Sequence, residues 1–251
     1  MITCKNPILS GFYPDPSICR VGEWFYLVTS TFAYFPGIPV FRSRNLAQWE
    51  QIGNILTRES QLPLQGCEHN EGIYAPTLRW HKGTFYLITT NVSGGGNFIV
   101  TAKNPQGPWS EPHFLENAMG IDPSLFFDED GTCYYIGQRE NSRGGRYNGD
   151  CEIWIQKLDL QTFRLEGEAH PVLYGFQRNA IWPEGPHLYK RNGYYNSYYT
   201  VLSQTDSDQK VTVEIESYKD TNGNEGDSYI LIPSKSTLTI VKKGTIIKDI
   251  K

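Results

Sequence analysis

Short runs of β-branched and aromatic residues, each closed by turn residues, recur along the chain and predict β-strands. Residues 23–31, 84–90 and 132–137 are three such runs, and Gly, Asp or Lys-Gly turn signals bound them. Two such runs begin with a pair of turn residues, Asp-Gly at 130–131 and Asn-Gly at 192–193. Pairs of this kind form the turn of a hairpin between neighbouring strands. Sustained apolar stretches with a helical period are hard to find. We therefore predict an all-β fold with little helix.

These runs belong to a unit that occurs four times, in which a proline is followed by a short apolar run and an aromatic pair. The prolines are Pro16, Pro76, Pro123 and Pro186, and the pairs end at Tyr26, Tyr86, Tyr135 and Tyr195. A period of roughly 50 residues made of short strands is typical of a β-propeller, in which each four-stranded blade buries its faces only against its neighbours. The sequence thus predicts a propeller-type domain with about four recognisable blades.

Acidic residues occur at one place in this unit. Asp15 and Asp122 immediately precede the proline of the first and third repeats, the second repeat has Ala75 there, and the fourth has Gly185 preceded by Glu184. A single Asp-Pro pair is most simply explained as a turn, but turn chemistry alone does not explain acids that recur in phase with a repeat. If the innermost strand of each blade begins here, three carboxylates converge at one mouth of a central channel.

The surroundings of these acids indicate acid–base chemistry. Asp15 lies between Pro14 and Pro16, which restrict the backbone and withhold amide donors from its carboxylate. Glu184 lies near Trp182, where desolvation could raise its pKa toward that of a general acid; the alternative is an exposed loop Glu with the indole packed beneath it. Paired carboxyl groups with aromatic walls are the pattern of glycosidic bond cleavage.

Four segments carry a resemblance to a known family. Residues 6–17, 72–79, 120–126 and 182–189 resemble, in the family's order, glycoside hydrolase family 43, the β-xylosidase and α-L-arabinofuranosidase group. The resemblance covers roughly residues 3–195. It implies a five-bladed β-propeller and an exo-acting, inverting hydrolase that releases xylose or arabinose from xylo-oligosaccharides or arabinoxylan fragments.

The resemblance also implies roles for individual residues. Asp15 is the expected general base, Glu184 the expected general acid, and Asp122 the acid that tunes and orients the site. Phe32, Tyr74 and Ala75 are the expected walls of the sugar pocket, and Tyr74 stands where the family usually has Trp.

The chain departs from the family pattern after about residue 195. Residues 196–251 contain four Tyr and one Pro but neither Trp nor Phe, and the fifth blade of the family is not recognisable there. We divide the chain into a propeller catalytic domain at 1–195 and a divergent β-rich tail at 196–251, which either completes the propeller or is partly disordered. Strands are predicted in the tail at 211–215, 229–232, 237–241 and 245–250.

Charge and composition limit the partners and cofactors. A net charge of -4 without a basic run argues against nucleic acid and anionic membranes as partners, and favours a small neutral oligosaccharide. The first residues lack the pattern of a secretory signal, so a cytoplasmic location is expected. The five Cys show no C-x-x-C spacing, so we expect reduced thiols and no protein-bound zinc. No cofactor is expected to be required, although the resemblance allows a divalent cation such as calcium in the channel; a homo-oligomer is left open.

Two other functions remain open at this point. The chain could be an inactive carbohydrate-binding propeller derived from such an enzyme, because residues 196–251 lack the family's later His and Arg. It could also be a scaffold for protein partners, in which the acids are only turn residues. Arg139, Arg143 and Arg146 flank Gly144-Gly145 in a loop that could border the pocket, and a solvated loop is the preferred interpretation.

Overall fold

The computed structural model describes residues 7–174, 180–191, 194–203, 211–218, 228–233, 238–242 and 245–250. Within these residues the secondary structure consists of β-strands, turns and bends, without helix, which confirms the all-β prediction. No helix in these ranges is long and apolar enough to cross a membrane.

The strands form four antiparallel sheets in which consecutive strands pair. The first sheet has the order β1 (Ser17–Val21), β2 (Trp24–Val28), β3 (Gly37–Ser43), β4 (Glu50–Leu56), and the second has the order β5 (Thr77–His81), β6 (Thr84–Asn91), β7 (Gly96–Ala102), β8 (His113–Phe114). The third contains β9 (Ile121–Phe127), β10 (Cys133–Glu140), β11 (Cys151–Asp159) and β12 (Arg164–Tyr174). The fourth contains β13 (Ala180–Arg191), β14 (Tyr194–Ser203), β15 (Val211–Tyr218), β16 (Ser228–Pro233), β17 (Leu238–Lys242) and β18 (Thr245–Ile250).

The proline of each repeat lies at the start of a sheet or inside its first strand. Strands β1 and β5 begin directly after Pro16 and Pro76, as the repeat predicts, whereas β9 and β13 begin before Pro123 and Pro186. In all four sheets this first strand is an edge strand among the described strands. Proline is tolerated at such positions because an edge strand has one side without ladder hydrogen bonds.

The hairpin between β5 and β6 shows how local sequence sets these sheets. Lys82 and Gly83 both have positive φ, 46° and 79°, and His81 pairs with Thr84 across the turn. Two left-handed residues in a two-residue loop form the turn that matches the twist of paired strands. The run predicted at 23–31 is shorter than expected, since β2 ends at Val28. The predicted turn at 192–193 lies outside the described residues.

Contacts divide the chain into two compact units, each with its own core. The first unit comprises Met1–Ser124 with Leu160–Leu165, and the second comprises Leu125–Asp159 with Glu166–Lys251. The core of the first unit is formed by fully buried aliphatic and aromatic side chains of its two sheets and of the segment before β5. These include Val28, Ile38, Leu56, Ile73, Leu78, Leu87 and Phe98.

A smaller core stabilises the second unit. Phe126, Ile136, Ile153 and Leu173 are buried together there. Each large apolar side chain removed from water in this way contributes about 1.5–3 kcal/mol.

The tail strands continue the fourth sheet. Strands β15 to β18 follow β13 and β14 in one antiparallel order, and they match the four strands predicted in the tail to within about three residues. The division of the chain at residue 195 stays a prediction.

Candidate active site

Asp15 is held by a side chain that the sequence analysis did not single out. The Ser30 hydroxyl donates a hydrogen bond to Asp15 Oδ2, and the Ser30 amide donates to the Pro14 carbonyl at 3.1 Å. Asp15 itself is exposed, while Ser30 is buried just beyond the end of β2. The backbone bond holds the Pro14–Asp15 segment beside the residues that follow β2, and the Ser30 hydroxyl orients one carboxylate oxygen of Asp15. The other oxygen can face solvent, as a base that activates water requires.

The acidic repeats share an uncommon backbone conformation. Asp15 and Asp122 have φ of 53° and 54°, and Gly185 has φ of 62°; each directly precedes a repeat proline. A residue before proline normally adopts extended backbone, and positive φ is rare for residues other than Gly. Such strain persists only where the surrounding structure enforces it, and it clusters at functional sites. The acidic repeats are therefore marked by left-handed backbone before the proline as well as by an acidic residue.

Two of the three predicted pocket walls meet in the first unit. The Phe32 ring lies 5.4 Å from the Tyr74 ring, nearly edge to face, and 5.8 Å from the Phe12 ring. Phe32 and Ile73 exchange backbone hydrogen bonds of 2.8 and 3.1 Å, which lock this arrangement. Ala75 follows Tyr74 directly and is partly buried. Phe12 is 64% exposed and was missed at the sequence level, although it lies three residues before Asp15.

A buried hydrogen-bond chain leads from this wall toward Asp122. The Tyr74 amide donates to the Thr90 carbonyl at 3.0 Å, and the Thr90 hydroxyl donates to Asn97 Oδ1 at 2.6 Å. Asn97 Nδ2 then donates to the Gly120 carbonyl at 3.1 Å, two residues before Asp122. Because Thr90 and Asn97 are almost fully buried, their bonds hold the segment before Asp122 firmly. The aromatic wall and the Asp122 segment thus belong to one hydrogen-bonded framework, and Ser30, which holds Asp15, lies two residues before Phe32 in the chain.

Glu184 lies in the second unit, in the middle of β13. The pairing register of β13 with β14 shifts on both sides of it, between Ile181 and Glu184 and between Glu184 and His187. Such bulges re-aim side chains and are common beside active sites. Glu184 is partly buried, and the neighbouring Pro183 is buried. The convergence of Glu184 with the two aspartates stays a prediction.

The loop between β10 and β11 is exposed at residues 142–146 and 148, as expected of a solvated loop, and buried carboxylates order it. Arg139 lies on β10; its Nε donates to Glu152 Oε1 at 2.7 Å, and its guanidinium lies 4.5 Å from the centre of the Trp154 ring. Arg146 donates from its amide and its Nε to Asp150 Oδ2, at 3.0 and 3.3 Å. The side chains of Glu152 and Asp150 are fully buried, so these bonds hold the loop in place.

The family model for glycosyl hydrolases family 43 matches residues 4–244. The chain belongs to this family. The fold is accordingly of the β-propeller type, as the repeat and the resemblance predicted.

Two relatives show the extent of the likeness. A xylosidase/arabinosidase of Butyrivibrio fibrisolvens is 63% identical over 197 residues, which cover 78% of this chain and 38% of the relative. A non-reducing end α-L-arabinofuranosidase, BoGH43B, of Bacteroides ovatus is 46% identical over 197 residues, 77% of this chain and 35% of the relative. The chain thus spans little more than a third of the length of these relatives.

Solved structures agree with this assignment. A GH43_12 protein from a capybara gut metagenome is 34% identical with a TM-score of 0.76, over 94% of this chain and 51% of that one. A xylan β-1,4-xylosidase from Bacillus halodurans C-125 is 33% identical with a TM-score of 0.75, over 97% of this chain and 52% of that one.

The described part of this family 43 chain contains no group of three or more His, Cys, Asp or Glu side chains that could hold a metal ion. A divalent cation in the channel stays an expectation of the resemblance, and we derive no step through a metal.

The cysteines within the described ranges are free thiols, as expected, and Cys4 lies outside those ranges. Burial raises the pKa of Cys133 to about 12. The pKa of Cys151 is raised to about 11, first by burial and then by the negative charges of Glu140, Asp150 and Glu184. Such thiols stay protonated at neutral pH and are poor nucleophiles.

A polar cluster of the second unit lies beside its core. Asp128 accepts hydrogen bonds from the Tyr195 hydroxyl at 2.7 Å and from Lys190 Nζ at 3.0 Å. Burial alone would raise the pKa of Asp128, but these bonds and the Glu129 amide outweigh it and lower that pKa. The cluster links the start of the β9–β10 turn to β13 and β14, so we assign it to stability.

Proposed function

We propose that this chain is the catalytic part of an exo-acting, inverting glycoside hydrolase that releases xylose or arabinose from xylo-oligosaccharides or arabinoxylan fragments. The observation that carries the proposal is the Asp15 site: a carboxylate in strained backbone, oriented by Ser30 and adjoining an aromatic wall. Membership of family 43 and the activities after which the relatives are named support the same chemistry.

The aromatic wall suits a neutral sugar. Phe32 and Tyr74 present apolar rings, and the C–H faces of a pentose ring can pack against them while its hydroxyls remain hydrogen-bonded. A wall without a cationic side chain gives no reason to favour an anionic substrate.

The acids divide the reaction between them. Asp15 accepts a proton from water as that water attacks the anomeric carbon. Glu184 donates a proton to the glycosidic oxygen as the bond to the leaving sugar breaks. Asp122 orients the reacting groups. In an inverting enzyme both proton transfers occur in one displacement, so loss of either acid is severe.

The test compares two substrates and three chains. The first substrate is an activated glycoside, either p-nitrophenyl β-D-xylopyranoside or p-nitrophenyl α-L-arabinofuranoside. The second is an unactivated disaccharide such as xylobiose. The variants are Glu184→Gln and Glu168→Gln, a matched change at an exposed acid on β12. We expect Glu184→Gln to lower kcat on the disaccharide by about 100-fold or more, and to lower it less on the p-nitrophenyl substrate, whose leaving group needs little protonation.

Each outcome is decisive. Activity with the expected pattern supports the assignment, and Glu168→Gln should match the unaltered chain. Equal losses on both substrates would refute the role of Glu184 as the proton donor. If a folded chain binds pentosides without hydrolysing them, the function is carbohydrate binding and the proposal is wrong.

A further inference from the structure

Asn97 is bonded to three points of the loop that leads to Asp122. It lies on β7, is almost fully buried, and adjoins the loop between β8 and β9. Its carbonyl accepts from the Leu115 amide at 2.8 Å, and its Nδ2 donates to the Ala118 carbonyl at 2.7 Å and to the Gly120 carbonyl at 3.1 Å. One buried residue therefore holds the beginning, the middle and the end of this loop.

The orientation of the Asn97 side-chain amide follows from its partners. Carbonyl oxygens can only accept hydrogen bonds, so Nδ2 must face Ala118 and Gly120. Oδ1 then accepts the hydrogen bond that the Thr90 hydroxyl donates at 2.6 Å. Thr90 lies opposite Asn97 in the ladder between β6 and β7 and is also buried. The Thr90 hydroxyl thus fixes the amide so that both of its donors point at the loop.

The loop needs such an anchor because left-handed residues follow one another along it. Asn117 has φ of 63°, Gly120 has φ of 91°, and Asp122 has φ of 54°. For residues other than glycine this conformation persists only where the surroundings enforce it. Met119 is 66% exposed, so burial of its side chain does not hold this end of the loop. The two bonds from Asn97 Nδ2 end four and two residues before Asp122, and they enforce the path by which the chain reaches this acid.

We propose that Asn97 is a positioning residue for the reaction: it sets the orientation of Asp122, and Thr90 sets the orientation of Asn97. Both residues are buried, so they act through Asp122 and not by touching the substrate. This inference rests on the proposed hydrolase function and extends it by naming the residues that hold one of its acids.

The position of Asn97 predicts an effect on turnover rather than on substrate binding. Tyr74, an expected wall of the sugar pocket, is held by other bonds: its amide donates to the Thr90 carbonyl at 3.0 Å, and its carbonyl accepts from the Thr89 hydroxyl at 2.8 Å. A change of the Asn97 side chain leaves these bonds in place. Asp122 is expected to orient the reacting groups, and a misplaced orienting group costs more in the transition state than in the bound substrate. The value of kcat should therefore fall while KM changes little.

The first test measures kcat and KM on a p-nitrophenyl pentoside. We expect Asn97→Ala to lower kcat by about tenfold or more and to change KM by less than about threefold. Thr90→Val keeps the shape of the side chain but removes the donor to Asn97, so it should lower kcat by about threefold or more with KM again nearly unchanged. An unchanged kcat in both variants, or a rise in KM that accounts for the whole loss, would overturn the proposal.

Gln61 offers a matched control in the same unit. Its buried side chain also holds a loop through two carbonyls, because Nε2 donates to the Ser110 carbonyl at 2.8 Å and to the Trp109 carbonyl at 3.4 Å. That loop carries none of the expected site residues. Gln61→Ala should therefore destabilise the fold as Asn97→Ala does, but leave kcat within about twofold. A comparable loss of kcat in Gln61→Ala would show that destabilisation alone lowers turnover, and would refute a positioning role.

A second test asks whether Asn97 acts through Asp122. In a chain that already carries Asp122→Asn, the added change Asn97→Ala should lower the residual kcat by less than about twofold, because the group that Asn97 positions has been replaced. A further loss as large as that in the unaltered background would contradict the proposal.

Hydrogen exchange tests the anchor without turnover, which keeps this proposal distinguishable from the hydrolase function. In Asn97→Ala the backbone amides of residues 115–122 should exchange about tenfold faster than in the unaltered chain, whereas those of residues 24–28 in β2 should not change. Faster exchange in a chain that hydrolyses no pentoside would fault the hydrolase function and leave the anchor standing. Unchanged exchange at 115–122 would refute the anchor whether or not the chain is active.

Discussion

Gly72 permits a close approach of two backbone segments behind the aromatic wall, which predicts a specific cost for Gly72→Ala. Gly72 has φ of +86°, and an added Cβ would lie 2.4 Å from the Phe32 carbonyl oxygen. Since Cβ contacts below 3.0 Å are essentially absent from proteins, the segments would have to separate by roughly 0.6 Å. Left-handed backbone costs alanine about 1–2 kcal/mol, and forced expansion of a packed contact adds about 1–3 kcal/mol. Gly72→Ala should therefore lower the free energy of unfolding by about 2–5 kcal/mol.

Gly83→Ala is the matched control for this change. Gly83 has φ of +79°, lies in the same unit, and has no heavy atom within 4 Å of the position that an added Cβ would take. It should therefore lose only the backbone part, about 1–2 kcal/mol. Urea unfolding followed by tryptophan fluorescence gives both values, and their difference measures the contact with Phe32. Equal losses in the two variants would refute the reasoning. Gly72→Ala should also lower kcat/KM on p-nitrophenyl pentosides, because Phe32 is displaced, while Gly83→Ala should not.

Two further predictions concern hydrogen bonds to carboxylates. Ser30→Ala removes the hydroxyl that orients Asp15. Because this loses about 1.5–3 kcal/mol of charge-assisted hydrogen bonding, kcat should fall by about 10–100-fold. A kcat within about twofold of that of the unaltered chain would contradict the role of Ser30. The bonds that Asp128 accepts from Tyr195 and Lys190 lower the pKa of Asp128 in the folded protein below its ordinary value of 3.8. These bonds therefore stabilise the fold fully above pH 3.8, and their contribution is lost as the pH falls through the pKa of the folded state. The gap in urea midpoint between the unaltered chain and Asp128→Asn should thus be largest at neutral pH and narrow as the pH falls below 3.8. A gap as large at about pH 2 as at neutral pH would disprove it.

The strands could be predicted because their signals are local. Alternation and turn residues are properties of neighbouring positions, and they placed β16 and β18 within one residue of their observed ends. The acids Asp15 and Asp122 could be found for a similar reason, because the repeat gives each a fixed place before a proline.

The partners of those acids could not be predicted. Ser30 is one of several polar residues after β2, and only the bond from its amide to Pro14 places it at Asp15. Asp150 lies in a Gly- and Asn-rich run that has the composition of a solvated loop, yet its side chain is fully buried. Residues 142–146 and 148 are exposed, as expected of a solvated loop, but composition does not show which carboxylate of the run is buried.

Left-handed backbone before the proline and acidic residues vary together across the four repeats. In the second repeat, where Ala75 replaces the acid, the residue before the proline does not have positive φ, whereas Asp15 and Asp122 do. A left-handed residue aims its side chain away from the direction that an extended residue would give it, so the strain sets where each carboxylate points. In the fourth repeat glycine occupies the left-handed position without strain, and the acid moves one residue earlier, to Glu184. The left-handed position before the proline is thus associated with a carboxylate in two ways: Asp occupies it in the first and third repeats, and Glu184 precedes it in the fourth.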